Sequence, residues 1–171
     1  MINYVEQQEG NIFFIPLFLP RDTKSFKSFT RNKFDPSETY AFGRLIDDAG
    51  EGGDHLIEVF SYTGSIPDNV EIIIKSGRLF NPIHVIGVFE KKRWRFVFED
   101  RSYDKNMDSD YKNITFFMGY DDPKLWRGGV FLGNISIEES KKLNSWTCFH
   151  PTQSENLIKD ILEGKEVSFY K

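Results

Sequence analysis

The chain predicts an α+β fold that is mainly β: an antiparallel twisted sheet, or a partly open barrel, followed by two short C-terminal helices. Three observations lead there. Phe occurs 17 times in 171 residues, mostly inside alternating apolar runs, and aromatic side chains favour the pleated, half-buried surface of a sheet. These runs are separated by turn-forming stretches such as residues 47–54 and 121–124. The helical patterns come last, so the order is strands then helices, not alternating β-α-β.

Residues 11–19 read as the first strand, nearly all apolar and stopped at Pro20. A charged connection, residues 20–37, follows. It carries Arg21, Lys24, Lys27, Arg31 and Lys33 with Phe26, Phe29 and Phe34 interleaved. A connection of this length is uncommon in a compact domain and is often functional. Residues 39–46 alternate as a second strand, 47–54 form a Gly-rich acidic turn, and 55–62 form a third strand, giving an antiparallel hairpin. Residues 65–76 carry both signals. Ser65 or Asp68 would cap a helical turn closed by Gly77, whereas the β-branched run Ile72-Ile73-Ile74 pulls towards a strand. The helical turn is preferred.

Residues 83–90 and 93–99 are expected to pair as a hairpin turning at Lys91-Lys92. Residues 101–112 read as a polar acidic loop, and 114–120 and 125–132 as two strands. Ser136 with Glu139 three residues later forms a capping box opening a helix to about Asn144. Ser154 is expected to begin a second helix with Leu157, Ile158, Ile161 and Leu162 as its buried stripe and Gly164 as its stop. Residues 167–170 are expected to add an edge strand. No linker, repeat or low-complexity tract divides the chain, so residues 1–171 are expected to form one domain.

A 39% hydrophobic and 28% charged composition is ordinary for a globular domain. The net charge of -4 argues against a general nucleic-acid binder, which needs a basic face, and is compatible with a basic protein partner. Cys148 is the sole cysteine and has no internal disulfide partner, which points to a reducing compartment. Residues 1–10 are polar and acidic, without the basic-then-apolar order of a signal peptide. No apolar run approaches the ~18 residues a membrane span requires. A cytoplasmic location without membrane association is the expectation.

Several constellations bear on chemistry. Cys148 and His150 share a strand face and would place a thiol beside a base, but a two-residue spacing marks no nucleophilic site, and a buried cysteine before a bend at Pro151 is preferred. His55 and His84 lie in apolar strands, and with one cysteine they supply no metal-ligand spacing, so no metal and no cofactor is expected. Residues 104–110 place oxygen ligands at alternate positions, like the start of a calcium loop. Ser109 stands where the turn requires Gly and Thr115 where the bidentate Glu belongs, so a solvated loop is preferred. Gly128-Gly129 and Gly50 to Gly53 lack the setting of a phosphate-cradling loop. Asp47-Asp48 and Asp121-Asp122 are adjacent pairs on turns and are expected to point apart. The 20–37 connection has five basic and two acidic residues, a local +3 that would let Arg and Phe meet phosphates and bases, but with the rest of the chain acidic a plain exposed loop is preferred.

The segments Gly10 to Leu17, Tyr40 to Ile46, Leu56 to Phe60, Leu79 to Ile83 and Arg93-Trp94-Arg95 together resemble the immunity protein 26 family of bacterial polymorphic toxin systems. The resemblance spans roughly residues 10–163, and Cys148-Phe149-His150-Pro151 is similar too. The family pattern passes from the first strand to the Tyr40–Arg44 strand by a short turn, and here residues 20–37 intervene.

The resemblance implies a cytosolic inhibitor that binds a cognate protein toxin domain, often a nuclease, without turnover. No catalytic residue is assigned. The expected partner-binding residues are the acidic sets Asp47, Asp48, Glu51 and Asp54, and Asp100, Asp104, Asp108 and Asp110, which would mimic nucleic-acid charge. The basic set Arg21, Lys24, Lys27, Arg31 and Lys33 joins them. The alternative is a small nucleic-acid-binding module using residues 20–37, and a third reading is a thiol enzyme using Cys148 and His150.

Overall fold

The period-two alternation of the first three strands decides the layering. A computed structural model describes residues 1–48 and 53–167. In β1 (Ile12–Pro16), β2 (Tyr40–Asp48) and β3 (Asp54–Gly64), successive side chains go to opposite faces. Phe13, Ile15, Ala41, Leu45, Ile57 and Val59 enter one core, and Ile12, Phe14, Tyr40, Phe42 and Phe60 enter another. Both faces are covered, which is why β1 reads as an unbroken apolar run. Gly43, opposite Phe13, makes room for that ring: a Cβ there would lie 2.5 Å from the Phe13 ring and 2.8 Å from the Glu58 carbonyl.

Among the described residues the fold is mainly β, with ten strands in two mixed sheets and four short helices. β4 (Ile83–Ile86), β5 (Arg95–Phe98) and β10 (Cys148–Phe149) complete a six-stranded sheet in the order β10-β4-β3-β2-β1-β5. β6 (Thr115–Met118), β7 (Lys124–Arg127), β8 (Val130–Asn134) and β9 (Asn144–Ser145) form a second, in the order β8-β7-β6-β9. Most pairs are antiparallel, while β4–β10 and β6–β9 are parallel. The sheets do not close into a barrel. A small cluster of Ile46, Leu56 and Phe116, with Trp146 against it, joins them.

The helices are α1 (Glu71–Lys75), α2 (Lys105–Asp108), α3 (Ile137–Ser140) and α4 (Pro151–Leu162). The helical turn expected within residues 65–76 is α1, with buried Ile73 on the second core and Gly77 at φ +74° behind it. Its N-cap is Val70, not Ser65 or Asp68. The Ser136–Glu139 capping box opens α3, which stops at Ser140, short of Asn144.

Four sequence expectations are corrected. Strands β4 and β5 are not a hairpin. β4 pairs with β3 and β5 with β1, on opposite sides of the sheet, and residues 87–94 cross its face carrying buried Val88, Phe89 and Trp94 into the first core. Residues 125–132 are two strands, because Gly128 and Gly129 at φ +56° and +74° make the tight turn that two left-handed residues favour. Residues 101–112 hold α2 and a 3₁₀ turn at Tyr111–Asn113. Helix α4 starts at Pro151, three residues earlier than expected, since Pro suits the first helical position. Its buried stripe is Pro151, Ser154, Glu155 and Ile158, and Leu162 is exposed. The edge strand expected at residues 167–170 lies outside the described residues from 168 onward.

That shift of α4 brings a carboxylate to a buried arginine. Arg93 and Glu155 are 0% and 1% exposed. Arg93 Nε donates to Glu155 Oε1 at 2.7 Å and a terminal nitrogen to Oε2 at 2.6 Å. Trp94 Nε1 donates to the same carboxylate at 3.0 Å. The remaining guanidinium hydrogens reach the Lys24 and Ser25 carbonyls and Thr152 Oγ1. All five donors of a guanidinium are thereby used. Removing one partner of such a pair strands the other charge in the core. Glu155→Leu is therefore expected to cost about 3–5 kcal/mol in urea unfolding. A loss below about 1 kcal/mol would show that Arg93 is satisfied without Glu155.

Candidate functional site

The expected acidic residues are mostly tied into the fold. Asp47 and Asp48 end β2 and point apart, as adjacent strand residues must. Asp47 accepts from Lys105 Nζ at 3.1 Å and from the Tyr111 hydroxyl at 3.2 Å. Burial works against its charge, but the hydrogen bond and charge of Lys105 outweigh that and hold its pKa below the usual carboxylate value. Asp48 meets His55 Nδ1 at 2.7 Å. Asp54 accepts from Trp146 Nε1 at 3.3 Å. Glu51 lies outside the described residues.

The second acidic set forms local turns. Asp100 accepts from Arg44 at 3.4 Å and from the Ser102 backbone and hydroxyl. Asp104 caps α2 by accepting from the Asn106 and Met107 backbone, and Asp108 accepts from the Asp104 backbone at 2.8 Å. Asp110 accepts from the Asn113 side chain at 2.7 Å. Capping accounts for the alternate oxygen residues that resemble a calcium loop. No group of three metal-ligating side chains converges among the described residues.

The basic set behaves differently. Arg21 is spent on α4, pairing with Asp160 at 2.9 Å and Glu163 at 3.2 Å. Lys24, Lys27, Arg31 and Lys33 are exposed, on a connection whose backbone is tightly held. The Phe29 N–H donates to the Lys91 carbonyl at 2.9 Å, and Arg95 donates to the Phe29 and Asn32 carbonyls at 2.7 and 2.9 Å. Asn156 and Lys159 of α4 donate to the Arg21 and Leu19 carbonyls. Residues 20–37 are thus a docked segment, clamped between α4 and the 87–94 crossover. The exposed Lys91 and Lys92 come to lie beside it.

Each histidine has a distinct environment. His55, 5% exposed, sits between two carboxylates, with Nδ1 on Asp48 and Nε2 on Glu90 at 3.0 Å. Burial would push its pKa down, but the hydrogen bonds to Glu90 and Asp48 outweigh it, and the net shift is upward. The same bond holds Glu90 below its usual value. Sequence spacing does not signal this bridge, since Glu90 is 35 residues away on the crossover. His84 is stacked on Trp146 at 4.2 Å, and burial lowers its pKa to about 4, so it is neutral. His150 occupies the N-cap position of α4, its backbone N–H donating to Gln153 Oε1 at 3.0 Å and its ring edge-on to Phe26 at 5.1 Å.

Cys148 faces Asp54, its sulfur 3.8 Å from Oδ2. Burial, then the Asp54 charge, raises the thiol to about 11. An activated nucleophile needs the opposite environment.

A family model described as immunity protein 26 matches residues 8–123 of the chain. No curated protein and no solved structure matches it. The matched span includes the first three strands, the 20–37 connection, the crossover and β6. It ends before β7, β8 and α4, so the Glu155 half of the buried pair lies beyond it.

Two solution measurements follow from these environments. His55 is protonated in folded and unfolded chains below about pH 6.5, where its contribution to stability is complete. That contribution is lost as pH rises through the raised folded-state pKa. Urea midpoints for the native chain are therefore expected to fall across that window, and His55→Gln to flatten the fall. An equal slope in both proteins would exclude the imidazolium bridge. Iodoacetamide at pH 7.5 is expected to alkylate Cys148 about a hundredfold more slowly in the folded than in the urea-unfolded chain. Comparable rates would mean that the thiol is not held protonated.

Proposed function

We propose that this chain, which belongs to the immunity protein 26 family, binds and neutralises a cognate toxin domain and so protects the cell that produces both. The family match carries this reading. The geometry supports it: the polar groups that would otherwise suggest chemistry serve the fold. Cys148 is held protonated beside a carboxylate, His84 is buried and neutral, and His55 is engaged on both ring nitrogens. Inhibition by occlusion needs a rigid, exposed surface and no turnover. A docked loop on a two-faced sheet provides such a surface, and binding residues concentrate on loops held by a scaffold.

The toxin is read as a protein domain encoded beside this chain, with nuclease activity the leading class. No helix among the described residues is long and apolar enough to cross a membrane. Inhibition in the cytoplasm, before the toxin meets its target, is the accompanying proposal.

Co-expression with the toxin domain encoded immediately upstream is expected to restore growth. The two chains are expected to co-elute as a stoichiometric complex in size-exclusion chromatography. Continued growth arrest with no co-elution would overturn the reading.

A further inference from the structure

We infer that the partner is engaged through a cationic face built by Lys24, Lys27, Arg31 and Lys33 together with Lys91 and Lys92, and that it presents an acidic protein surface there. The inference rests on the immunity reading and specifies the surface used.

These six side chains are exposed, and none forms an ion pair among the described residues. The seven described acidic candidates, by contrast, each have a hydrogen-bond partner within the chain. Asp47, Asp48 and Asp100 are also ion-paired, to Lys105, His55 and Arg44, and Asp104, Asp108 and Asp110 bond within their own turns. The cations point outward, with Lys27 over the Phe29 ring at 5.4 Å. Arg21 is excluded from the face because Asp160 and Glu163 already neutralise it.

The gathering is a product of the fold. Lys91 and Lys92 are about sixty residues from the 20–37 segment in sequence. The Phe29–Lys91 backbone bond and the Arg93 bond to the Lys24 carbonyl place the two segments side by side. Because Arg93, Arg95 and α4 hold the backbone of the loop, its ordering is complete before a partner arrives, which lowers the entropic cost of association. The chain as a whole carries -4. A local positive face on an acidic molecule orients an incoming acidic partner and raises its association rate. Two hollows flank the face. One of about 540 Å³ is lined by Tyr4, Thr30, Lys92 and Arg95 among others, and another of about 550 Å³ by Asp22, Lys24, Lys27 and Phe29 among others. Each brings cations to a concave wall, beside Glu6 in the first and Asp22 in the second.

A nucleic acid would also be attracted by the charge, but it needs open aromatic faces for its bases. Those rings are engaged. Phe29 is 2% exposed. The Arg95 guanidinium covers Phe34 at 4.7 Å, and Phe14 packs against it at 5.0 Å. Phe26 is the half-exposed ring of the three, and it packs edge-on against His150. The face offers charge without stacking platforms, which suits carboxylates on a folded partner.

The test uses the full chain, the catalytically inactivated toxin domain encoded upstream, and a short single-stranded RNA. Two charge reversals are compared with the native chain: Lys24→Glu/Lys27→Glu/Arg31→Glu/Lys33→Glu, and Lys91→Glu/Lys92→Glu. Asp121→Lys, remote from the face in sequence and exposed, is the control. Circular dichroism and urea midpoints verify that each folds. The reversals are expected to slow association with the toxin domain by at least about tenfold and to flatten its salt dependence, while Asp121→Lys leaves it unchanged. Native binding that is unaffected by both reversals would overturn this inference and leave the immunity reading standing. Failure of the native chain to bind the toxin domain would overturn both. RNA binding that both reversals abolish, with toxin binding unchanged, would reassign the face to nucleic acid.

Discussion

A buried guanidinium–carboxylate pair organises one side of this protein. Arg93 sits on the crossover between β4 and β5, and Glu155 on the C-terminal helix. Neither could be buried alone, because an unpaired charge in a core costs far more than a missing contact. Together they satisfy each other, and Trp94 Nε1 donates to the shared carboxylate. A buried pair is not in itself a gain in stability over apolar packing. Its effect here is positional. It sets which face of α4 meets the sheet and which carbonyls of the long connection can approach.

The connection inherits its shape from that constraint. Arg93 reaches the Lys24 and Ser25 carbonyls, Arg95 reaches Phe29 and Asn32, and α4 side chains reach Leu19 and Arg21. A segment rich in exposed lysine would otherwise be a mobile chain with self-repelling charges. Its backbone is instead fixed by cations that donate inward, leaving a different set of cations facing outward. At the other end of the sheet, His55 links the end of β2 to the crossover through Asp48 and Glu90. The crossover is thus tied to charged groups through both Glu90 and Arg93.

Much of the strand layout was legible because alternation is a local signal. Phe13 and Ile15 against Ile12 and Phe14 reveal a two-faced strand without any knowledge of its neighbours. The Ser136–Glu139 capping box was likewise legible, since both partners lie within one helical turn. The expected β4–β5 hairpin does not form, for the opposite reason. Two apolar runs around a Lys-Lys turn look like paired strands, and nothing local tells that β3, β2 and β1 lie between them. The buried stripe of α4 departs from its apolar sequence pattern because an isolated glutamate reads as a surface residue. Only the arginine across from it makes Glu155 a core position.

The sequence by itself determined the class of the protein: a mainly β domain without recognisable catalytic or metal-ligand spacing, resembling a family that the match over residues 8–123 then established. It also named the two charged sets between which the site had to be sought. Only the tertiary structure shows which of those side chains have partners within the chain. Hydrogen-bond partners 35 to 94 residues apart are invisible to composition and spacing, because a side chain's charge is free or spent according to what the fold brings within about 3 Å of it. Asp47, Asp54 and Asp100 met distant partners, while Asp104, Asp108 and Asp110 bond within four residues. The lysines of the long connection form no ion pair among the described residues, and the exposed Lys91 and Lys92 of the crossover lie beside them.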